Sequence, residues 1–518
     1  MGIDSDNFKE LCYWCRIGSV ENVDRLVSTG VNLNLNDEFD NSPLFLASLC
    51  GNEGVVKLLL KRGAVCDRDR FEGARCIYGA LTDSIRNILL AFDISKAVDS
   101  RQPFAAHLSS LLTDPSIKSH DVVFQFSGAE EIKLHKFLLA ARSSYFEEKF
   151  QGSWADKHLI KMPDWIPYES LRIISRFMYL VPVLHELGPE EIGIAKQFCK
   201  KLKLLDLLDY IEKVRHIMDP SEKSRLATES QFRFSERARQ QLRAFVGKII
   251  EKKMCLPLGD ISLFEALETL KSSACVPDVF LSVREKQRPG FRWFYPCHRS
   301  ILIRSEYFKI MFSSNFKEAS SYSETPEGTV DRSKSFPIVS FPCSDPAVAE
   351  LILAYLYYDN TDIHWKLALD VLVAADAVFA DRLKTMAAVA IMQSTEFLDH
   401  RSIFEVLYVA WETRMERLEH YAAEVIARDF KFYCGDPRFE EAVLRSSQRI
   451  QNRQETDTIE LIDDIRYQLL KKHNIDTDDF EDITWDELEM KPTRTESSPY
   501  EEDIAMLENL LNKMGLIA

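Results

Sequence analysis

Apolar positions along this chain of 518 residues follow two rhythms. Spacing of three and four, which lines one face of a helix, dominates. Phe104, Leu108, Leu111 and Leu112 make one such face. Leu171, Ile174, Phe177 and Met178 make another, followed by Ile192, Ile194, Phe198, Leu202, Leu205 and Leu208. A long helical stretch from Glu396 to His473 carries Ile403, Leu407, Val409, Leu418, Ala422, Val425 and Ile426. Alternation, the mark of a half-buried strand, is rarer. It appears from Asp121 to Phe126, and Ile132 and Leu134 answer it across Ser127-Gly128. It appears again from Pro277 to Val283, where Phe291 to Tyr295 answers across Pro289-Gly290. Both read as β-hairpins, and a further strand is expected near Ile338 to Phe341. The predicted class is α+β, mainly helical.

The first hundred residues repeat. Gly18, Val23, Leu26, Gly30 and Asn36 recur 33 positions later as Gly51, Val56, Leu59, Gly63 and Asp69. Ser42-Pro43-Leu44 offers a hydroxyl cap with Pro at the first helical position, and Gly51 and Gly63 stand where helices end. A third unit, from Glu72 to about Asp93, is worn. A second duplication lies further on. His298-Arg299, Arg304-Ser305 and Tyr307-Phe308 match His135-Lys136, Arg142-Ser143 and Tyr145-Phe146. Phe312, Phe316 and Glu318 match Phe150, Trp154 and Asp156. The second copy is one residue shorter between the His and the Tyr, which leaves the start of its helix open. Leu263, Leu267 and Leu270 repeat the apolar helix that leads the first copy.

The 33-residue period resembles ankyrin repeats. The duplicated units resemble BTB/POZ domains: a leading helix, a hairpin, a helical hairpin and a helical tail. In the second copy, the helix ending at Tyr355 to Tyr358 and the run Ala368 to Asp376 resemble further signatures of that family. The expected architecture is a short ankyrin stack over 1–98, a first BTB/POZ domain over 100–216 and a helical connector over 217–256. A second BTB/POZ domain over 257–398 follows, with a flexible insertion at 319–334, a helical extension over 399–473 and an acidic tail with a terminal helix over 474–518. The order resembles the family of ankyrin-repeat and BTB/POZ domain-containing proteins.

Charge narrows the functions. Lys and Arg number 65 against 81 Asp and Glu, a formal net charge of -16. No direct binding of nucleic acid is expected, because phosphate wants a basic face. Eleven cysteines show no disulfide rhythm. Cys12 and Cys15 form a lone C-x-x-C, read as helix residues rather than a zinc site. No metal or cofactor is expected. No apolar run approaches the ~20 residues of a membrane span, no signal peptide is read, and Asp6 stands where myristoylation needs a hydroxyl. The expected compartment is the cytoplasm, with the nucleus second. Phe232 to Lys253 is helical and basic, read as a solvated connector ahead of a membrane or calmodulin-type helix. From Ile475 to Ala518 there are 13 Asp and Glu against 3 Lys and Arg. Behind that acidic stretch Ile504, Leu507, Leu511 and Met514 form one stripe. Docking on the protein's own surface is favoured over a partner's groove.

Candidate sites follow. Asp121, His135, Lys136 and Arg142, with Asp278, His298, Arg299 and Arg304, resemble the charged pockets of BTB domains. Acid–base chemistry by an Asp and a His competes with a structural role. No nucleophile, Gly-rich loop or metal set accompanies them, so the structural role is favoured and no enzyme is expected. Phe39 and Phe71, flanked by charges, are candidate partner-binding tips of the ankyrin repeats, against rings folded back onto the stack. The BTB resemblance implies an adaptor for a cullin-3-type ubiquitin ligase, with Phe316, Lys317 and Glu318 and the matching Trp154 and Asp156 as cullin contacts. An unknown protein substrate would be taken by the ankyrin repeats. Two leading helices on one chain imply an intrachain BTB–BTB pseudo-dimer, favoured by high effective concentration. A scaffold or chaperone-like binder without cullin is the alternative. A BTB-type transcriptional regulator ranks last, since no zinc-finger spacing is present.

Overall fold

A computed structural model describes residues 3–28, 31, 33, 35–62, 64, 66, 71–90, 104–115, 117–127, 130–164, 166–181, 189–214, 216–217, 220–257, 269, 275–313, 337–449, 459–473 and 499–516. They form two compact units, one of Met1–Asp362 with Ala374–Met386, the other of Ile363–Val373 with Ala387–Ala518. The fold is mainly helical α+β. The expected leading helix at Leu263, Leu267 and Leu270, the insertion at 319–334 and the acidic segment ahead of the terminal helix lie outside the described residues.

Three helix pairs open the first unit: Ile3–Ile17 with Val20–Ser28, Pro43–Leu49 with Glu53–Lys61, and Phe71–Tyr78 with Asp83–Leu90. Leu11, Cys15, Val23, Val55, Val56, Leu59 and Ile85 share one core, each fully buried. Ser42 caps its helix, its Oγ accepting the Phe45 N–H at 3.1 Å behind Pro43. Gly18, at φ +86°, lets two repeats close: a Cβ there would stand 2.5 Å from Asn52 Oδ1. The Asn52 amide instead donates to the carbonyls of Cys15 and Arg16, at 2.8 and 2.9 Å. Cys12 and Cys15 belong to this core, and burial pushes their thiols up to about 11 and about 12. Such thiols stay protonated and inert near neutral pH.

Each duplicated unit builds a small mixed sheet. In the first, Val122–Gln125 pairs antiparallel with Glu131–Leu134 and parallel with Leu159–Lys161. In the second, Val279–Arg284 pairs antiparallel with Phe291–Cys297 and parallel with Ile338–Ser340. An extra edge strand, Met254–Pro257, pairs with Phe291–Cys297. The helical hairpin follows, as Lys136–Arg142 with Ser144–Gln151 and as Arg299–Leu302 with Glu306–Ser313. The missing residue in the second copy is absorbed by its first helix, which is four residues long against seven.

The basic helix, Pro220–Glu251, is not the solvated connector that its charge predicts. Phe234, Ala238, Leu242, Phe245, Val246 and Ile249 form a buried stripe. That stripe packs on Lys136–Arg142 of the first copy and on Pro346–Tyr358 and Phe291–Cys297 of the second. Its cations pair with both copies: Lys248 with Glu147, and, just beyond its end, Lys253 with Glu350 at 2.5 Å. The helix stops at Glu251, earlier than the expected 256, because Met254–Pro257 joins the second sheet.

The two copies also touch directly. The ring of Phe137 stacks on that of His298, centroids 4.3 Å apart and planes 22° from parallel. Phe245 of the connecting helix lies 6.3 Å from Phe137 and 5.7 Å from His298. From the leading helix Phe104–Thr113, the Phe104 N–H donates to Asp359 Oδ2 at 2.9 Å. His107 Nε2 meets the Ser300 carbonyl at 2.6 Å.

The second unit is helical among the described residues. Ile403–Thr413, Glu416–Arg428, Pro437–Gln448 and Glu460–Lys472 enclose Leu418, Ala422, Ile426, Ile462, Ile465 and Leu469. Three arginines lie over three aromatic rings one helix away: Arg438 on Phe404, Arg445 on Tyr408 and Arg449 on Trp411, at 5.4, 4.3 and 5.1 Å. The terminal helix, Pro499–Met514, docks on this unit. Its buried face is Asp503, Leu507, Leu510 and Leu511; Leu507 and Leu511 come from the predicted stripe, whose Ile504 and Met514 lie half-buried at its margin. Lys472 Nζ and His473 Nε2 hold Asp503 Oδ2 at 3.0 and 3.1 Å, which turns the helix toward its carboxylate.

Candidate interaction surfaces and the paired charged pockets

The two pockets are built alike. Asp121 Oδ1 accepts the backbone N–H of Lys136, and Asp278 Oδ1 that of Arg299, both at 2.7 Å. Each carboxylate sits just before its strand and pins the first turn of the helical hairpin, where backbone N–H groups lack partners. The next layer is a His–Tyr pair. Tyr179 Oη accepts the His135 N–H at 2.7 Å and lies 2.9 Å from His135 Nδ1. Tyr357 Oη accepts the His298 N–H at 3.2 Å and lies 2.7 Å from His298 Nδ1.

Partner chemistry fixes one tautomer. His298 Nε2 faces the carbonyls of Cys275 and Val276 at 2.8 and 3.2 Å, so it carries the proton, and Nδ1 accepts from the Tyr357 hydroxyl. His135 Nε2 meets Ser119 Oγ at 2.9 Å. Burial lowers the His135 pKa to about 4, and burial raises Tyr179 and Tyr357 well above the usual phenol value. A neutral His held on all sides by protein groups has no face turned to a substrate.

Arg142 and Arg304 close the opposite end of each pocket. Arg142 Nη1 donates to the carbonyls of Phe177 and Met178 at 3.1 and 2.6 Å. Arg304 Nη1 donates to those of Tyr355 and Leu356, and its Nη2 pairs with Asp359. Each guanidinium thus caps the helix that supplies the pocket's tyrosine, where carbonyls lack partners. Ser143 and Ser305 repeat the scheme, donating to Leu202 and Val378 carbonyls at 2.9 and 2.7 Å. Lys136 is fully buried, its Nζ donating to the Ala155 carbonyl at 2.9 Å, while Arg299 lies over the Phe312 ring at 5.4 Å. The Asp, His and Arg of the eight make matching contacts in the two copies, to a backbone N–H, to a tyrosine hydroxyl and to helix-end carbonyls, while the Lys136 and Arg299 side chains take different partners. Tyr179 and Tyr357 are the members that sequence reasoning missed. The signal was a tyrosine at the same place, two residues after Phe177 and after Tyr355, in both copies.

The BTB/POZ domain family matches residues 112–218 and 267–395, and ankyrin repeats (many copies) match residues 11–60. The chain is 48% identical over 476 residues to ankyrin repeat-containing protein YIL001W of Saccharomyces cerevisiae, covering 92% of this chain and 91% of that one. The chain belongs to the ankyrin-repeat BTB/POZ family. It is also 36% identical over 523 residues to BTB/POZ domain-containing protein 3 of Schizosaccharomyces pombe, covering 99% of this chain and 91% of that one. Domains of both kinds are protein-interaction domains, and they make this ankyrin–BTB protein an interaction adaptor. Among the described residues no helix is long and apolar enough to cross a membrane, and no group of His, Cys, Asp and Glu is placed to hold a metal.

The predicted contact surfaces of this ankyrin–BTB chain fare differently. Phe316, Lys317 and Glu318 lie outside the described residues. Trp154 is half-buried, its ring 5.9 Å from Phe124, 6.0 Å from Phe150 and 6.4 Å from Phe146. That indole is bound into its own domain's ring cluster, while Asp156 beside it is exposed. Phe39 is 69% exposed at a tip held by Asp37, whose Oδ1 accepts the N–H groups of Phe39 and Asn41, both at 2.9 Å. Phe71 opens the helix Phe71–Tyr78, and its side chain is outside the described residues.

Proposed function

We propose that this protein is an adaptor that recruits substrates to a cullin-3-type ubiquitin ligase. The second BTB/POZ domain would carry the cullin contact at Phe316, Lys317 and Glu318, and the ankyrin tip at Phe39 would take part in substrate capture. The two BTB/POZ domains would pair within the chain rather than between chains. One observation carries the reading: two BTB/POZ matches follow ankyrin repeats in a single chain, an order that would join a ligase-binding module to a recruiting one. The stacking of Phe137 on His298 and the Asp359 contact to Phe104 support the intrachain pairing. The proposed compartment is the cytoplasm, with the nucleus second.

The test is a pull-down of cullin-3 with the intact chain, repeated with Phe316→Ala and Glu318→Ala together. Loss of binding in the double variant supports the reading, and no binding by the folded parent chain overturns it. A second reading is a scaffold without cullin. It draws on Trp154, which is occupied by its own domain's rings and so offers little free anchor in the first copy. It predicts partners held by the ankyrin repeats with no ubiquitin transfer. Light scattering that shows a stable dimer at low micromolar concentration would count against intrachain pairing.

A further inference from the structure

The terminal helix, Pro499–Met514, carries two apolar faces that do not coincide. The face it buries on its own unit is Leu507, Leu510 and Leu511, with Asp503 beside them. The other is a line of five, Ile504, Leu507, Leu511, Met514 and Leu516, at intervals of three, four, three and two. At ~100° per residue the two faces share Leu507 and Leu511 and part at their edges, where Ile504 and Leu510 stand ~120° apart. Ile504, Met514 and Leu516 are only half-buried, so self-docking leaves three anchors of the line partly uncovered.

The last interval is made by a helix stop. Gly515, at φ +69°, donates its N–H to the Asn512 carbonyl at 3.1 Å, and the Leu516 N–H turns back to the Leu511 carbonyl at 2.9 Å. A left-handed cap of this kind ends the helix and brings its outer apolar residue back toward the last turn. Helical anchors laid into an apolar groove are a recurrent mode of recognition. Leucine-rich nuclear export signals have this spacing and this shape, a helix that gives way to a turn. Charge sharpens the match: from Pro499 to Leu516 there are four carboxylates, Glu501, Glu502, Asp503 and Glu508, against Lys513. The groove that fits is apolar with a cationic rim.

The helix can leave its seat. It rests on Glu460–Lys472 and on Phe430–Cys434, which is five residues long. Two flanking pairs, Lys431 with Glu502 and Lys513 with Glu440, join solvent-exposed side chains and add little. The firmer holds are the three leucines and the grip of Lys472 and His473 on Asp503. Twenty-five residues lie between His473 and Pro499, contour enough for the helix to depart while its unit stays folded.

We propose that this segment is a nuclear export signal covered by its own unit, and that once released it lays Ile504, Leu507, Leu511, Met514 and Leu516 into the groove of a nuclear export receptor. While the helix is seated, Leu507 and Leu511 face inward, so the apparent affinity is reduced to the fraction released. The assignment does not rest on a cullin partner.

The test measures binding of the full chain to an export receptor with its GTP-bound small GTPase, against the receptor alone. Asp503→Asn with Leu510→Ala removes two holds of the seat and no anchor of the line. Amides of the terminal helix should then exchange about tenfold faster, and GTPase-dependent binding should strengthen about tenfold over the parent. Adding Met514→Ala and Leu516→Ala should weaken that binding by at least ~tenfold while exchange stays fast. Unchanged exchange in the first variant overturns the releasable seat. Fast exchange without GTPase-dependent binding, or binding indifferent to Met514 and Leu516, overturns the signal.

Discussion

Phe137→Ala removes the ring that joins the two BTB/POZ copies. Phe137 is 2% exposed, and its near neighbours include His298 of the other copy and Phe245 of the connecting helix. Truncating a buried Phe costs about 3–5 kcal/mol. Area sets a ceiling: an aromatic side chain buries ~150–250 Å², worth roughly 4–6 kcal/mol at ~25 cal/mol per Å². Because His298 and Phe245 lie outside the first copy, much of that loss should appear in the second. Hydrogen exchange on the full chain reads this directly. Amides of Val279–Arg284 and Phe291–Cys297 should exchange about a hundredfold faster in the variant, the scale of a 3 kcal/mol loss at ~1.4 kcal/mol per decade. Phe137→Leu, which keeps most of the volume, should cost under about 1.5 kcal/mol. If exchange quickens only in Val122–Gln125 and Glu131–Leu134, Phe137 is a private core residue of its own domain and the reasoning fails.

Arg304→Ala should destabilise the first unit by about 3–5 kcal/mol in urea titrations, because it strands the buried Asp359 and two helix-end carbonyls; a loss below ~1 kcal/mol would show that water replaces the guanidinium. His135 gives a pH test. Its folded pKa, about 4, lies below the unfolded value of ~6.5, so its contribution is complete above pH ~6.5 and is lost as pH falls through about 4. The parent should therefore lose roughly 3 kcal/mol more than His135→Asn between pH 7.5 and pH 4, and parallel curves would refute a buried neutral imidazole. Asp503→Asn should loosen the terminal helix, since it unpairs Lys472 and His473. Limited proteolysis should then cut ahead of Pro499 faster than in the parent, and unchanged cleavage would place the anchoring in Leu507, Leu510 and Leu511 alone.

Much of this was legible in the sequence, for stated reasons. The ankyrin period shows because Gly18 and Gly51 meet one backbone need, a left-handed turn, at one interval. The pockets show because an Asp that pins a helix start and an Arg that caps a helix end have few substitutes. Other features left no local trace. Leu159–Lys161 is three residues long, too short for alternation to register. Met254–Pro257 follows a long basic helical pattern, and only the strand beside it, Phe291–Cys297, makes it a strand. Tyr179 and Tyr357 look like core aromatics until the His beside each is in place. The contact of Phe104 with Asp359 joins positions 255 apart, and no periodicity spans that distance. In the terminal helix the stripe was drawn from apolar residues alone; it caught Leu507 and Leu511 but not Asp503, a carboxylate buried with two cationic partners.

The tandem arrangement also sets a timetable. Phe137 leaves the ribosome 220 positions ahead of Tyr357, the residue that fixes the imidazole against which it will stack. At ~5–20 residues per second that is a wait of roughly 10–40 s. Until Phe245 emerges, the ring and its helix have no mate from beyond their own domain, and on a crowded polysome the nearest alternative is the same ring on the neighbouring nascent chain. The connecting helix is made inside this window, and Phe245, the residue that reaches Phe137 first, precedes His298 by 53 positions. It can sheathe the exposed face before the second domain exists, so the face stands open for about half of that interval rather than all of it.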